Sequence, residues 1–517
     1  MPTQTRSEEL VGQWKDGRRT QQPLGLALVT ASREVFSQDA PPTRHAARLI
    51  ELGRRKGIAV IDGGVISPGT DVRRLVAELK LKGADALEVG FGNYGCEHEV
   101  AVLSKELGLP VLLFAPYDGY PNTDGTRETD AWCGFQPASK LVADYGVYHY
   151  DYVGQSQPGS PKEMVKFRDF VAAARAVRSM SNGVRLGQIG GDQPTFEAIE
   201  CSPAVLGTRF GVEVIPIDQV ELFGRVVSLL QDSDQSMLEA ECQAMQVRGI
   251  DLRQIPPVAA KRIAAAIIAE LELCQKYNLD GLTHNCWPAC MENYQLMLCM
   301  VGGELLRLGV PVACETDKGG LLSMMMLQAL DPCGKPPMFA DITITVLLED
   351  GKIIGILVWH CGPFSSTNCR DCVAKKGWII PTSRPAYAFL DGVGDFPLGT
   401  PMTLARLCNR NSEDGVSFSL AAFEAPVVNG PKTLGTHFYV GVDDATFDEL
   451  EEALVMGVNG QWKTTVHHFA VAAGERAHLV DMVSRFLGLG EADIFLPGAA
   501  EIAKRRRGTW LARLVAD

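Results

Sequence analysis

Short apolar runs alternate with helical spacings along the first part of the chain. Leu24–Thr30, Ile58–Ile61, Ala86–Val89 and Val111–Ala115 each read as a buried strand. Between them, residues 45–55, 71–81 and 98–107 set apolar side chains three and four apart, as in Ala46, Leu49, Ile50 and Leu52. Apolar strands joined by amphipathic helices predict a parallel sheet with helical crossovers, because such strands are covered on both faces. Residues 116–138, rich in Asp, Gly, Pro, Thr and Tyr, read as a long surface loop, with helical segments following to about Met180. Ser181-Asn182-Gly183 marks a boundary, and a second alternating series begins. It runs through strands at Val184–Ile189, Val212–Ile215, Gly281–Thr283 and Val310–Cys314, with helices predicted over 258–273 and 293–308.

Beyond Asp341 the texture changes. Ile342–Leu348 and Ile353–Val358 flank Glu349-Asp350-Gly351, a hairpin signal with Asp-Gly at the turn. Further β-rich runs lie at Val416–Leu420, Thr436–Val440 and Thr464–Val471, and a helix is predicted over 476–487. The fold class is therefore α/β: two α/β layer domains, residues 1–182 and 183–340, followed by a β-rich, mostly antiparallel domain over 341–517.

Composition changes this picture little. Hydrophobic residues make up 46% and charged residues 21%, as in ordinary soluble chains, which excludes wholesale disorder and fibrous repeats. A net charge of −13 argues against a nucleic-acid partner, which needs phosphate-neutralising cations. The basic cluster Lys504–Arg507 reads as a solvated helix face. Fourteen cysteines, scattered through apolar stretches, behave as the small hydrophobes of a reducing compartment. The segment Met1–Lys15 lacks the apolar core of a signal peptide, and no run is long enough to cross a bilayer. A cytoplasmic chain with no membrane partner is expected.

Three sets of residues invite chemistry. Gly90-Phe-Gly-Asn-Tyr-Gly95 is a literal G-x-G-x-x-G between a strand and a helix. It follows the third strand of its domain rather than the first, and no acidic residue stands about twenty positions on, both against a dinucleotide fingerprint. A tight loop at a strand's carboxyl end, touching a sugar through Asn93 or Tyr94, fits better, with a purely structural turn as the alternative. Cys369-Arg-Asp-Cys372 is a single C-x-x-C where a zinc site needs four ligands, so unpaired loop thiols are expected.

The third set is the most informative. Glu315 ends the strand Val310–Cys314, and ligands in open α/β sheets bind at the carboxyl ends of strands. Asp341 stands at a domain junction, His360 closes the strand after the hairpin, and His467-His468 lies in an apolar β run, where alternation sends one ring to each face. Two carboxylates with imidazole suit Mn²⁺ and related divalent ions that keep open positions for substrate oxygens. Each residue also has an ordinary structural alternative: a helix cap or ion pair for the carboxylates, a hydrogen-bonded core ring for the histidines.

Cys286-Trp287-Pro288, Ala313-Cys-Glu-Thr-Asp317 with Gly320-Leu-Leu322, Phe339-Ala-Asp341 and Trp359-His-Cys-Gly362, in that order, resemble the L-fucose/L-arabinose isomerase family, in particular its fucose isomerase-like branch. The resemblance implies two Rossmann-like doubly wound domains, a barrel-like C-terminal domain, a homohexamer, and an aldose–ketose isomerase that uses Mn²⁺, with Co²⁺ or Mg²⁺ as alternatives. It implies that Glu315 and Asp341 are metal ligands and the acid/base pair, that His468 is the metal histidine with His467 its substitute, and that His360 is a further ligand. Arg33 matches, loosely, an arginine that contacts substrate, and Ala289 stands where the family carries glutamate. Trp287 and Trp359, flanking the motifs, are candidates to pack on the apolar face of a sugar or to fill core.

The leading expectation is a metal-dependent ketol isomerase that moves a proton between C1 and C2 of a free or modified sugar through a cis-enediol. A metal-dependent epimerase or aldolase on the same scaffold, an NAD-dependent oxidoreductase and a non-enzymatic sugar-binding protein are the competing readings.

Overall fold

The computed structural model describes residues 4–361, 364–377, 382–413, 415–456 and 466–495. The chain forms two compact units, one of them Thr20–Arg178 with Met482–Glu491, the other taking in the remaining described residues.

The unit spanning Thr20–Arg178 holds a five-stranded parallel sheet. Its strands are β1 (Leu24–Ala31), β2 (Ile58–Ile66), β3 (Ala86–Phe91), β4 (Val111–Pro116) and β5 (Tyr150–Ser156), in the order β2-β1-β3-β4-β5. Every residue of β1 and β3 is buried, which is why these segments read as unbroken apolar runs. Asp71 caps the helix Val72–Leu81 by accepting from the Arg74 amide. The glycine motif after β3 is a close-packed turn: a Cβ on Gly92 would lie 2.6 Å from Pro41.

Two expectations fail in this unit. A helix, Ala131–Asp144, starts inside the predicted loop, where Gly134 and Pro137 are breakers that hide it. Gly134 is required there, because a side chain would collide with the carbonyl of Tyr94. Tyr150–Ser156, taken as helical, is the edge strand β5, whose Asp and Gly break the apolar run a strand is recognised by.

The other unit contains a second parallel sheet, of β6 (Arg185–Ile189), β7 (Glu213–Ile217), β8 (Gly281–His284) and β9 (Val312–Cys314). Its order β7-β6-β8-β9 repeats that of the first four strands. The predicted helix over 293–308 is two helices, Ala289–Tyr294 and Cys299–Leu308, because Gln295 adopts a left-handed conformation with φ 52°.

The β-rich part follows as β10 (Met338–Glu349), β11 (Lys352–His360), β12 (Cys369–Lys376), β13 (Tyr387–Gly394), β14 (Pro401–Ser412), β15 (Gly415–Val428), β16 (Thr436–Val440), β17 (His468–Ala473) and β18 (Asp493–Phe495). They form one mostly antiparallel sheet, β12-β13-β16-β11-β10-β17-β14-β15-β18. A further β15–β16 pairing closes β16, β11, β10, β17, β14 and β15 into an antiparallel barrel. The fold is thus α/β with two Rossmann-like sheets and a barrel-like C-terminal sheet. At the predicted hairpin Asp350 and Gly351 take φ 50° and 77°, both positive as a tight two-residue turn demands.

Cys369 and Cys372, expected as unpaired thiols, are joined in a disulfide. An irregularity between Arg370 and Val373, with Asp371 at φ 54°, folds β12 back so that their Cα atoms lie 6.0 Å apart, within bridging range. Among the described residues no helix is long and apolar enough to cross a membrane. The basic cluster Lys504–Arg507 and the start of the Thr464–Val471 run lie outside the described residues.

The packing of Gly134 generates a test. Gly134→Ala must push the helix off the turn at Tyr94, so chemical denaturation should show a loss of roughly 1–3 kcal/mol, and an unchanged midpoint would refute this reading of the turn.

Candidate active site

Three loops at the carboxyl edge of the second parallel sheet and three strands of the barrel enclose a cavity of about 270 Å³. Phe196 comes from the loop after β6, Cys286 and Trp287 from the loop after β8, and Glu315 from the end of β9. Asp341 belongs to β10, Trp359 and His360 to β11, and His468 begins β17 with His467 just before it. At ~30 Å³ per water the space holds roughly nine water molecules, the scale of a small polar solute.

Local backbone explains how Glu315 reaches the cavity. Glu315 and Thr316 take φ 60° and 58°, two successive left-handed residues that turn the chain sharply off β9. Neither is glycine, and each such residue costs about 1–2 kcal/mol, a strain that concentrates at functional sites. On the barrel side, register does the work: Asp341 pairs with His468 across β10–β17 and with Trp359 across β10–β11.

The polar atoms converge. Trp287 Nε1 donates to Glu315 Oε1 at 3.1 Å, and His468 Nε2 lies 3.1 Å from Glu315 Oε2 and 3.6 Å from Asp341 Oδ1. His360 Nε2 is 3.8 Å from Asp341 Oδ1. Glu315 Oε2, Asp341 Oδ1 and both ring nitrogens of His360 are buried without a hydrogen-bond partner. Donor atoms of Asp341, His360 and His468 all lie within 4.8 Å of one another, as do those of Glu315, His467 and His468. Donors about 2.1 Å from a small divalent ion sit at most roughly 4.2 Å apart, and the three nitrogen–oxygen distances fall inside that limit. Asp341, His360 and His468 are therefore a donor set that fits such an ion, and Glu315 joins it through His468.

In the metal-free protein the same groups hold one another in their charged forms. Burial alone would lower the pKa of His468, but the hydrogen bond with Asp317 and the neighbouring carboxylates of Glu315 and Asp341 hold it up at about 9. Burial works against His360 in the same way, and the charge of Asp341 carries it to about 10. Burial would raise Glu315, yet His468 and the charge of His360 bring it below its ordinary value. Asp317 is pushed up by burial and pulled well below the usual carboxylate range by Arg406 and His468.

Residues 27–181 match the N-terminal domain of the fucose/sulfoquinovose isomerase family. The chain is fucose isomerase-like, and by class an aldose–ketose isomerase. A sulfoquinovose isomerase from Alkalicoccus urumqiensis is 22% identical over 75% of this chain and 81% of its own length. The sulfoquinovose isomerase of Priestia megaterium is 23% identical over 64% of this chain and 69% of its own. Among solved structures, an ABC-transporter solute-binding protein from Burkholderia multivorans covers 60% of this chain and 92% of its own at 12% identity and a TM-score of 0.15.

Of the residues singled out in the sequence of this isomerase, Glu315, Asp341, His360, His467, His468, Trp287 and Trp359 all line the one cavity. His467 and His468 do not point to opposite faces: β17 starts only at His468, and the two ring centroids lie 4.2 Å apart. The Trp359 indole donates to the Leu434 carbonyl at 2.6 Å. Arg33, Asn93 and Tyr94 form a cluster of their own in the unit spanning Thr20–Arg178. Asn93 is fully buried and its amide holds the loop, accepting from Arg33 N and Gly95 N and donating to the carbonyls of Arg33 and Ser37. Tyr94 stacks on Phe36 at 5.3 Å, and the Arg33 guanidinium lies 5.1 Å from its ring centroid.

Three features escaped the sequence reading. Phe196 meets Trp287 and His467 edge-on at 5.4 and 5.8 Å; its place in a carboxyl-end loop was the available signal. Arg406, 1% exposed, binds Asp317 through both terminal nitrogens; a lone arginine inside Met402–Cys408 was the signal there. Cysteines far apart in sequence also gather beside the cavity: Cys286 neighbours Cys299 and Cys314, and Cys299 neighbours Cys361.

Arg406→Met would leave Asp317 a buried charge without its cation. Breaking a buried pair this way costs about 3–5 kcal/mol, so urea unfolding should register a loss of that size, whereas a shift under roughly 1 kcal/mol would mean the pair is effectively solvated.

Proposed function

We propose that this chain is a divalent-metal-dependent aldose–ketose isomerase, with Mn²⁺ the first candidate, working by a proton shuttle through a cis-enediol. The observation that carries the reading is the meeting of Glu315 Oε2 and Asp341 Oδ1 with His468 Nε2 in one cavity. The sulfoquinovose isomerases among its relatives make that sugar the first candidate substrate.

Glu315, Asp341 and His468 would hold the ion, with His360 beside them. A divalent ion bound there would supply Lewis-acid stabilisation of charge developing on the sugar oxygens, worth several kcal/mol. Glu315 Oε1 is fixed by the Trp287 indole, so Oε2 is the atom turned toward substrate. Its lowered pKa keeps it ionised near neutrality, as a base that takes the C2 proton must be. The same oxygen returns the proton to C1, and Asp341 moves the hydroxyl proton. Phe196 and Trp287 form an aromatic wall that excludes water and presents an apolar face to the sugar ring.

The deciding experiment uses an aldose panel that includes sulfoquinovose, with each sugar deuterated at C2 and Mn²⁺ added. Ketose should form with loss of label to solvent, EDTA should abolish turnover, and Glu315→Gln should lower kcat by about 10²–10⁴-fold. Label retained at C1 would indicate hydride transfer instead, and epimer or cleavage products would replace isomerisation.

Metal affinity should also depend on pH. With His360 at about 10 and His468 at about 9, both rings carry protons at neutral pH in the metal-free protein, and each must lose one to ligate. Affinity for Mn²⁺ should therefore rise with pH up to about 9–10, the values of these two rings. Titration calorimetry in buffers of different ionisation enthalpy should report proton release, and a heat independent of buffer would contradict this protonation state.

A further inference from the structure

Asp317 takes no part in the proton transfers above, yet its carboxylate is wholly buried and every lone-pair direction is spent. Oδ1 accepts from the Gly320 amide at 2.7 Å, capping the helix Lys318–Leu330, and from Arg406 Nη2 at 3.0 Å. Oδ2 faces Arg406 Nη1 and lies 2.9 Å from His468 Nδ1. A carboxylate paired with a guanidinium can only accept hydrogen bonds, so the proton on that edge of the imidazole sits on Nδ1. The opposite nitrogen, Nε2, which faces Glu315 Oε2 and Asp341 Oδ1 in the cavity, is then the one that gives up its proton and offers a lone pair when an ion binds.

We propose that Asp317, itself locked by Arg406, is the positioning residue that fixes the Nδ1–H tautomer and ring orientation of His468 and so sets the affinity of the cavity for its divalent ion. The proposal rests on the metal-dependent reading of the site. Three separate segments meet in it: the turn after β9 supplies Asp317, β14 supplies Arg406 and β17 supplies His468. Ligating histidines commonly hand their second N–H to a carboxylate, and loss of that partner typically weakens metal binding 10–100-fold.

Asp317→Asn isolates the effect. Asparagine keeps an oxygen for the Gly320 amide, but it can turn an NH₂ toward His468, which drives the ring proton to Nε2 and removes the cavity-facing lone pair. Mn²⁺ titration of the full-length protein followed by EPR should show affinity reduced roughly 10–100-fold, with turnover largely recovered at saturating Mn²⁺. A folded variant that binds Mn²⁺ as tightly as the parent would overturn the positioning role. A parent protein that binds no Mn²⁺, Co²⁺ or Mg²⁺ would instead overturn the metal reading beneath it. Because Asp317→Asn also leaves Arg406 without its counter-charge, a second measurement covers a variant that fails to fold. ¹⁵N-histidine NMR of the Zn²⁺-loaded parent, with the His468 signal assigned by its disappearance in His468→Gln, should find the proton on Nδ1; a proton on Nε2 would overturn the proposal.

Discussion

Burying Glu315 and Asp317 beside a half-buried Asp341 is tolerable only because cations face each of them, and that compensation organises the cavity. An isolated carboxylate in a dry interior loses several kcal/mol of solvation. Here Arg406 answers Asp317, His468 bridges Asp317 and Glu315, and His360 stands off Asp341. His468 touches both sides of this array, so its ring is where the structural part of the charge network joins the reactive part. On the reactive side Asp341 Oδ1 and the His360 ring nitrogens are left without a hydrogen-bond partner, and on the structural side Arg406 Nε is.

The scaffold gives this network its rigidity. The second parallel sheet delivers Phe196, Trp287 and Glu315 from its carboxyl edge, the address at which open α/β sheets present ligand-binding groups. The barrel delivers Asp341 and His468 as cross-strand neighbours, so their spacing is set by backbone hydrogen bonds rather than by flexible loops. Closure of the barrel through β15 and β16 removes the free edges that would otherwise let those strands slip. Strain at Glu315 and Thr316 is the visible cost of aiming a strand-end carboxylate into the space between sheet and barrel.

Much of this was legible before any coordinates. The alternating runs identified the strands of both parallel sheets except β5, and Asp350-Gly351 located the hairpin turn, because burial and turn geometry impose local patterns. The edge strand Tyr150–Ser156 and the helix around Pro137 were hidden because their stability comes from packing, not from local preference. The seven side chains picked out around the cavity were visible as strand-end and motif positions. Arg406, Phe196 and the gathered thiols were not, since nothing within their own segments marks what they face.

The amino-acid sequence alone determined which segments become strands and helices, and it marked which carboxylates and imidazoles sit at strand ends, because hydrophobic period and strand-end chemistry are local properties. It could not determine that His467 and His468 share one cavity, that Asp317 is the partner of His468, or that Cys369 and Cys372 meet. Those depend on where β17 begins, how β14 lies against the turn after β9, and a bulge in β12. Only the tertiary structure decided them, because each pairing is a contact whose geometry depends on many weak interactions across the whole unit at once.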